Sequence, residues 1–162
     1  MTSLAKAKAL ALLVPAALLA GAYGSQVFAG LVPCEMCWWQ RYAHFAALAF
    51  ALLALALSRL PDRGRSFVWL AALAILTSGL IGFYHAGVEA KIFEGFTRCT
   101  ARVHATSTAD LMNQILDAPL VRCDTIQWSF LGISMAGWNF ILSTLSALLI
   151  LWLSLRRPRT AA

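Results

Sequence analysis

The chain has 162 residues, of which 60% are hydrophobic and 12% charged, with a formal net charge of +6 and a mean hydropathy of +0.73. A water-soluble domain of this size has no way to bury so much apolar side chain, so lipid is the solvent for much of it. The positive charge does not point to nucleic acid, because the basic residues flank apolar runs instead of forming one face.

The first apolar run, 9–32, follows Lys6 and Lys8. It has the basic start, apolar centre and small residues of a signal peptide. It also continues past any plausible cleavage point and reaches the roughly 20 residues that a ~30 Å hydrocarbon core requires. A retained membrane helix over about 9–29 is expected, with Pro15 tolerated inside it at the cost of a kink. The turn-like junction 30–37 carries Pro33-Cys34-Glu35-Met36-Cys37. The second span, about 38–57, opens with Trp38 and Trp39, which suit the lipid–water interface, and carries Arg41 and His44 near that end. A tight polar loop, 58–66, holds Pro61, Gly64 and three arginines. The third span, about 67–87, closes with Tyr84 and His85. Residues 88–128 form the one long polar segment and contain Cys99 and Cys123. Within it, 109–118 sets Leu111, Met112, Ile115 and Leu116 on one helical face, for the membrane surface or for packing on its own loop. The fourth span, about 130–154, ends in Arg156, Arg157 and Arg159. Gly79, Gly82, Gly132 and Gly137 permit close helix approach.

The expected fold is therefore an all-α membrane protein. It is a single domain over 1–162, a four-transmembrane-helix bundle with a short amphipathic helix in the second outer loop. Charge sets its orientation. Lys6, Lys8, Arg59, Arg63, Arg65, Arg156, Arg157 and Arg159, eight of the 13 basic residues, fall on one side with the single acid Asp62. Both termini then lie in the cytoplasm and both cysteine-bearing segments outside. Four cysteines facing an oxidising compartment read as disulfides, which agrees with the charge bias.

Two residues between Cys34 and Cys37 close a small disulfide ring that opens and closes without large backbone change. A helix starting near Cys34 would favour its thiolate through the N-terminal dipole. Zinc is a poorer match, since Cys99 and Cys123 stand 24 apart and supply no second close pair. A c-type haem would want His where Trp38 stands. Along the helix, Cys34, Cys37, Arg41 and His44 recur at i, i+3, i+7 and i+10, one stripe. A fixed cation at Arg41 suits a thiolate or a reduced acceptor; the bland role is a snorkelling anchor. Gln40 beside the stripe is a hydrogen-bond donor. His44 and His85 are candidates for a polar headgroup site, His44 also reading as a satisfied bundle histidine. Cys99 and Cys123 alone would make a structural loop disulfide. Facing a redox CxxC, they suit a relay with an exposed entry pair and a buried exit pair. The resting pairing stays open, because four cysteines allow three connectivities.

PCEMCWWQR (33–41), FYHAGVE (83–89), Cys99, LVRCD (120–124) and FLGISMAGWN (130–139) together resemble the disulfide bond formation protein B (DsbB) family. The resemblance covers all four spans and both cysteine pairs. It implies a protein-disulfide:quinone oxidoreductase of the bacterial inner membrane, which reoxidises a periplasmic DsbA-like thioredoxin-fold protein and passes two electrons to ubiquinone or menaquinone. It implies that Cys99 is attacked by the partner's thiolate, that Cys123 is its loop partner and exchanges with Cys34, and that Cys37 lies nearest the quinone. Arg41 would sit by the quinone ring, with His85 a further contact. Position 40 is Gln where some members carry an acid, so no proton-transfer role is assigned there. No metal or nucleotide is expected. Two other readings stand beside this one. A vitamin K epoxide reductase type would place its CxxC in a later helix, after the loop pair. A non-enzymatic membrane protein would use two disulfides only as staples.

Overall fold

The computed structural model describes residues 2–59, 61–95, 107–109, 112 and 121–156. The expected amphipathic stretch 109–118 lies almost wholly outside the described residues, and Cys99 lies outside them too.

Four helices carry the described chain. Helix α1 spans Ser3–Ala29, begins where the Thr2 hydroxyl accepts the Ala5 N–H, and ends at Gly30 in the left-handed region (φ 65°). Pro15 sits inside it, fully buried, without ending the helix. Helix α2 spans Glu35–Ala56 and α3 spans Arg65–Glu89. Gly64 precedes α3 at φ 74°, and a Cβ there would meet the Ala54 carbonyl oxygen at 2.4 Å, so both conformation and space require glycine. Asp62 caps α3 in its place, accepting from the N–H groups of Gly64 and Ser66 and from the Ser66 hydroxyl.

The last apolar stretch departs from the expected start near 130. Residues Ser129–Phe130 (β1) and Ile133–Ser134 (β2) form an antiparallel hairpin, and helix α4 spans Met135–Leu155. Leu131 and Gly132 turn it with φ of 52° and 78°, as a two-residue primed turn requires. Gly132 therefore serves the turn and has nothing within 4 Å of an added Cβ, whereas Gly79, Gly82 and Gly137 do lie at close contacts. At Gly82 a Cβ would sit 2.9 Å from the Ala136 carbonyl oxygen and 3.1 Å from Asn139 Nδ2.

Helix α3 packs most extensively on α4 and α2, and α1 lies against α4 and α2. The core is built of small side chains: Ala7, Ala11, Ala47, Ala51, Ala54, Ala71, Ala72 and Ala147 are fully buried beside Val68, Ile75 and Ile150. The large ones point outward, among them Leu52, Leu73, Leu80, Leu145, Leu148 and Trp152. Small inside and large apolar outside is the packing of helices in lipid, where close backbone approach replaces hydrophobic burial. By length and composition, α1, α3 and α4 are able to cross a membrane. Helix α2 falls short of that apolarity because it carries Gln40, Arg41 and His44, and all three are buried within the bundle.

Candidate functional site

Cys34 is the N-cap of α2, and its Sγ accepts the Cys37 N–H at 3.4 Å. Sulfur takes the place that a serine oxygen usually fills. The cap brings the two sulfurs to 3.0 Å. On its other side the Cys34 thiol hydrogen-bonds Cys123, so Cys34 lies between its CxxC mate and a sulfur 89 positions away. These contacts, Cys123 first and Cys37 second, followed by burial, push the Cys34 thiol well up. They outweigh the helix dipole that the sequence led one to expect would favour a thiolate there.

Three ties hold Cys123 in place. Lys91, at φ 60°, donates to the Asp124 carboxylate at 2.6 Å and to its carbonyl at 2.8 Å. Arg122 pairs with the same carboxylate at 2.8 Å. Gln127 bonds both the N–H and the C=O of Val32, like a strand partner, and so ties the 121–128 segment to the junction ahead of Cys34. The hydrogen bonds from Arg122 and Lys91 hold the Asp124 carboxyl well below the usual carboxylate range. Below the sulfurs, Met36 and Val88 complete a second small core with Cys34 and Cys123.

His85 of α3 meets this cluster with both ring nitrogens engaged. Gln40 Nε2 donates one hydrogen to the Met36 carbonyl and the other to His85 Nδ1, at 3.2 and 3.0 Å. His85 therefore carries its proton on Nε2, which faces the Cys123 carbonyl at 3.1 Å and the Cys34 sulfur at 3.6 Å. The ligand atoms of Cys34, Cys37 and His85 lie within 4.8 Å of one another, close enough for one metal ion. The Gln40 bond, however, leaves Nε2 with a hydrogen where a metal would need a lone pair. Glu89, one turn on, puts Oε1 at 3.8 Å from His85 Nε2, and its side chain is 8% exposed.

Deeper in the bundle, Gln40 Oε1 accepts from Asn139 of α4 at 2.7 Å. Asn139 also accepts from His44 Nε2 at 3.0 Å, and Ser78 joins the same node. Because the Ser78 hydroxyl donates to the Gln40 carbonyl, the His44 proton is on Nε2. Its Nδ1 is buried with no hydrogen-bond partner. Arg41 reaches across to α1, donating to Gln26 at 2.8 Å and to the Ala22 carbonyl at 3.1 Å. Its guanidinium lies 4.6 Å from the Tyr23 ring centre and 5.0 Å from that of Trp38. Two such ring contacts, each about 0.5–2 kcal/mol, are of the size of the roughly 2.5–3.5 kcal/mol that an arginine costs in a membrane helix.

Several of these groups border one cavity of about 410 Å³. Cys34, Cys37, Gln40, Arg41, His44, His85 and Glu89 line it, with an apolar wall from α1 and with Asn139 and Leu142 of α4. The structure thus gathers Cys34, Cys37, Arg41, His44 and His85 around one space, with Cys123 at its sulfur end. Sequence reasoning did not find the Gln40–Asn139–Ser78 network, the Gln26 partner of Arg41 or the place of Glu89. The available signals were polar residues inside apolar runs and the i, i+4 spacing of His85 and Glu89.

The family model described as Disulfide bond formation protein DsbB matches residues 5–153. The chain is 33% identical to "Disulfide bond formation protein B" of Paracidovorax citrulli, over 95% of this chain and 90% of that one. It is 34% identical to the protein of the same name from Verminephrobacter eiseniae, over 90% of this chain and 82% of that one. It is also 25% identical to "Uncharacterized protein RP370" of Rickettsia prowazekii, over 88% of this chain. No solved structure matches it.

Proposed function

Because the chain belongs to the disulfide bond formation protein DsbB family and is a membrane disulfide oxidoreductase, we propose that it carries electrons from a thioredoxin-fold dithiol protein to a membrane quinone. The observation that carries this reading is the row of sulfurs, Cys123 to Cys34 to Cys37, that ends in the wall of a cavity.

The cavity suits a quinone headgroup. Its volume is in the range of ligand sites, about 300–1,000 Å³, and its mainly apolar walls carry Gln40, Arg41, His44, His85 and Asn139. The buried, unpartnered His44 Nδ1 is an acceptor for a hydroxyl, and Arg41 is a fixed cation. Arg41, His44 and His85 are the residues that would hold the ring of ubiquinone or menaquinone. When bound, the quinone supplies an acceptor for two electrons and two protons. The residues do the rest. The partner's thiolate attacks Cys99 of a Cys99–Cys123 disulfide, that bond breaks with Cys123 leaving as the thiolate, and the second partner thiol resolves the mixed disulfide. Cys123 then attacks Cys34, the buried sulfur it already touches, and Cys37 leaves as thiolate beside the cavity. Arg41 favours that charge, and Gln40 holds His85 so that its N–H faces the sulfur that is attacked. The His85 tautomer supports hydrogen bonding over metal binding at this cluster.

The orientation belongs to the same reading: a multi-pass protein of the bacterial inner membrane, one domain over 1–162, with α2 as a fourth span that hides its polar stripe inside the bundle. Lys8 Nζ donates to Ser58 at 2.7 Å, joining the start of α1 to the loop after α2. That contact supports putting both on the cytoplasmic side with the basic tail. The test is purification with lipid, extraction for bound quinone, and a quinone-reduction assay with a reduced thioredoxin-fold protein as donor. Quinone-dependent oxidation of the donor is expected; cysteines that never exchange would leave only a stapled membrane protein.

A further inference from the structure

In the polar network between α2, α3 and α4, the direction of each hydrogen bond is set by backbone carbonyls, which only accept. The Met36 carbonyl takes a hydrogen from the Gln40 side chain, so Gln40 Nε2 lies there and Oε1 turns to Asn139. The Ser78 carbonyl, at 3.1 Å, takes one from Asn139 Nδ2, which leaves Asn139 Oδ1 as an acceptor. The Gln40 backbone carbonyl takes the hydrogen of the Ser78 hydroxyl. His44 Nε2 therefore faces two oxygens that both require a donor, Asn139 Oδ1 at 3.0 Å and Ser78 Oγ at 2.9 Å. Residues of three helices thus pin the His44 ring proton to Nε2.

The other ring nitrogen is left over. His44 is 3% exposed, and its Nδ1 is buried with no hydrogen-bond partner. A buried polar atom without a partner is costly, and this one belongs to a residue of the cavity wall, one helical turn from Arg41. With the hydrogen on Nε2, Nδ1 presents a lone pair. Moving the hydrogen to Nδ1 would turn a lone pair at Nε2 towards two oxygens, so the tautomer does not adapt to suit a ligand.

We propose that His44 makes the cavity discriminate between the two redox forms of its ligand, holding a hydroquinone in preference to the quinone. This rests on the quinone reading of the cavity and adds which form the site favours. A quinone presents carbonyl oxygens, which only accept, whereas a hydroquinone presents hydroxyls, which also donate. The Nδ1 lone pair is satisfied by a hydroxyl and opposed by a carbonyl. Arg41 makes no such distinction, because its N–H groups donate to either kind of oxygen. One hydrogen bond gained in the reduced form alone corresponds to about tenfold in affinity. A tenfold preference for the reduced form raises the two-electron potential of the bound ligand by about 30 mV. That shift favours electron flow out of the Cys34–Cys37 dithiol.

The test is equilibrium binding to full-length, quinone-depleted protein with its cysteines oxidised, in the absence of oxygen. A short-chain ubiquinone and its hydroquinone are titrated separately by calorimetry. Wild type is expected to hold the hydroquinone at least ~10-fold more tightly. His44→Gln can place an amide nitrogen where Nε2 lies, and so still donate to Asn139 and Ser78, but it has no counterpart of Nδ1. It should lose the preference through weaker hydroquinone binding, with quinone binding no weaker than in wild type. Equal affinities in wild type overturn the proposal, as does a preference that survives in His44→Gln. If His44→Gln does not fold, His44→Phe takes its place with the same two outcomes. If wild type binds neither form, it is the quinone reading that fails, and this inference with it.

Discussion

Arg41 shows how a single residue serves two ends at once. Its hydrogen bonds run to Gln26 and Ala22 on α1 and its faces rest on Tyr23 and Trp38, yet it borders the cavity beside Cys37. Snorkelling to the headgroups is not what this arginine does; α1 satisfies it inside the bundle. Arg41→Ala is expected to raise the apparent KM for quinone about tenfold or more, the weight of one charged hydrogen bond. A KM equal to wild type, in steady-state quinone reduction, would return Arg41 to tying α1 to α2. The sulfurs divide by step. Cys34→Ser or Cys37→Ser should abolish quinone reduction. Cys99→Ser or Cys123→Ser should stop turnover with the protein donor. A Cys99→Ser protein that oxidises the donor at the wild-type rate would break the relay order.

Two elements carry measurable constraints. The α3–α4 contact is close because Gly82 has no Cβ. Gly82→Ala pushes on the Ala136 carbonyl and on Asn139, and overpacking of this kind costs about 1–3 kcal/mol. Thermal unfolding in detergent should show the loss, with Gly24→Ala, which meets nothing closer than 4.0 Å, as a control that does not fall. The loop before α3 is sensitive to acid. Hydrogen bonds from the Ser66 hydroxyl and then from the Ser66 and Gly64 N–H groups hold the Asp62 pKa at about 2. A depressed carboxyl stabilises the fold fully above its unfolded value of about 4, and the contribution is lost as pH falls towards about 2. Unfolding midpoints measured across that window should drop for wild type. Asp62→Asn should lower the midpoint at neutral pH and flatten the acid dependence; parallel curves for the two proteins would count against the cap.

At the scale of the molecule, the small-inside, large-outside packing and the buried polar stripe of α2 describe one object: a bundle whose interior is the polar site and whose exterior suits lipid. Single cysteines placed at Arg63 and at Ile126 in a cysteine-free background should label from opposite sides of the membrane. Labelling of both from outside would undo the orientation.

Much of this was legible in the chain as written. Apolar runs of spanning length, charge bias and the CxxC with its Arg41–His44 stripe follow from local composition and helical period, which need no long-range information. The start of α4 was not legible, because a two-residue primed turn at Leu131–Gly132 is hidden inside an apolar stretch. Nor was the contact of Cys123 with Cys34, which depends on ties from Gln127 to Val32 and from Lys91 to Asp124 across many residues. The sequence by itself determined a helical membrane protein with a dithiol at one end of a span, since hydropathy and spacing are one-dimensional facts. Only the tertiary structure decided which nitrogen of His85 bears the proton, that Arg41 is satisfied by α1, and that Glu89 keeps a buried oxygen free. Each of those depends on side chains from different helices meeting within hydrogen-bond reach.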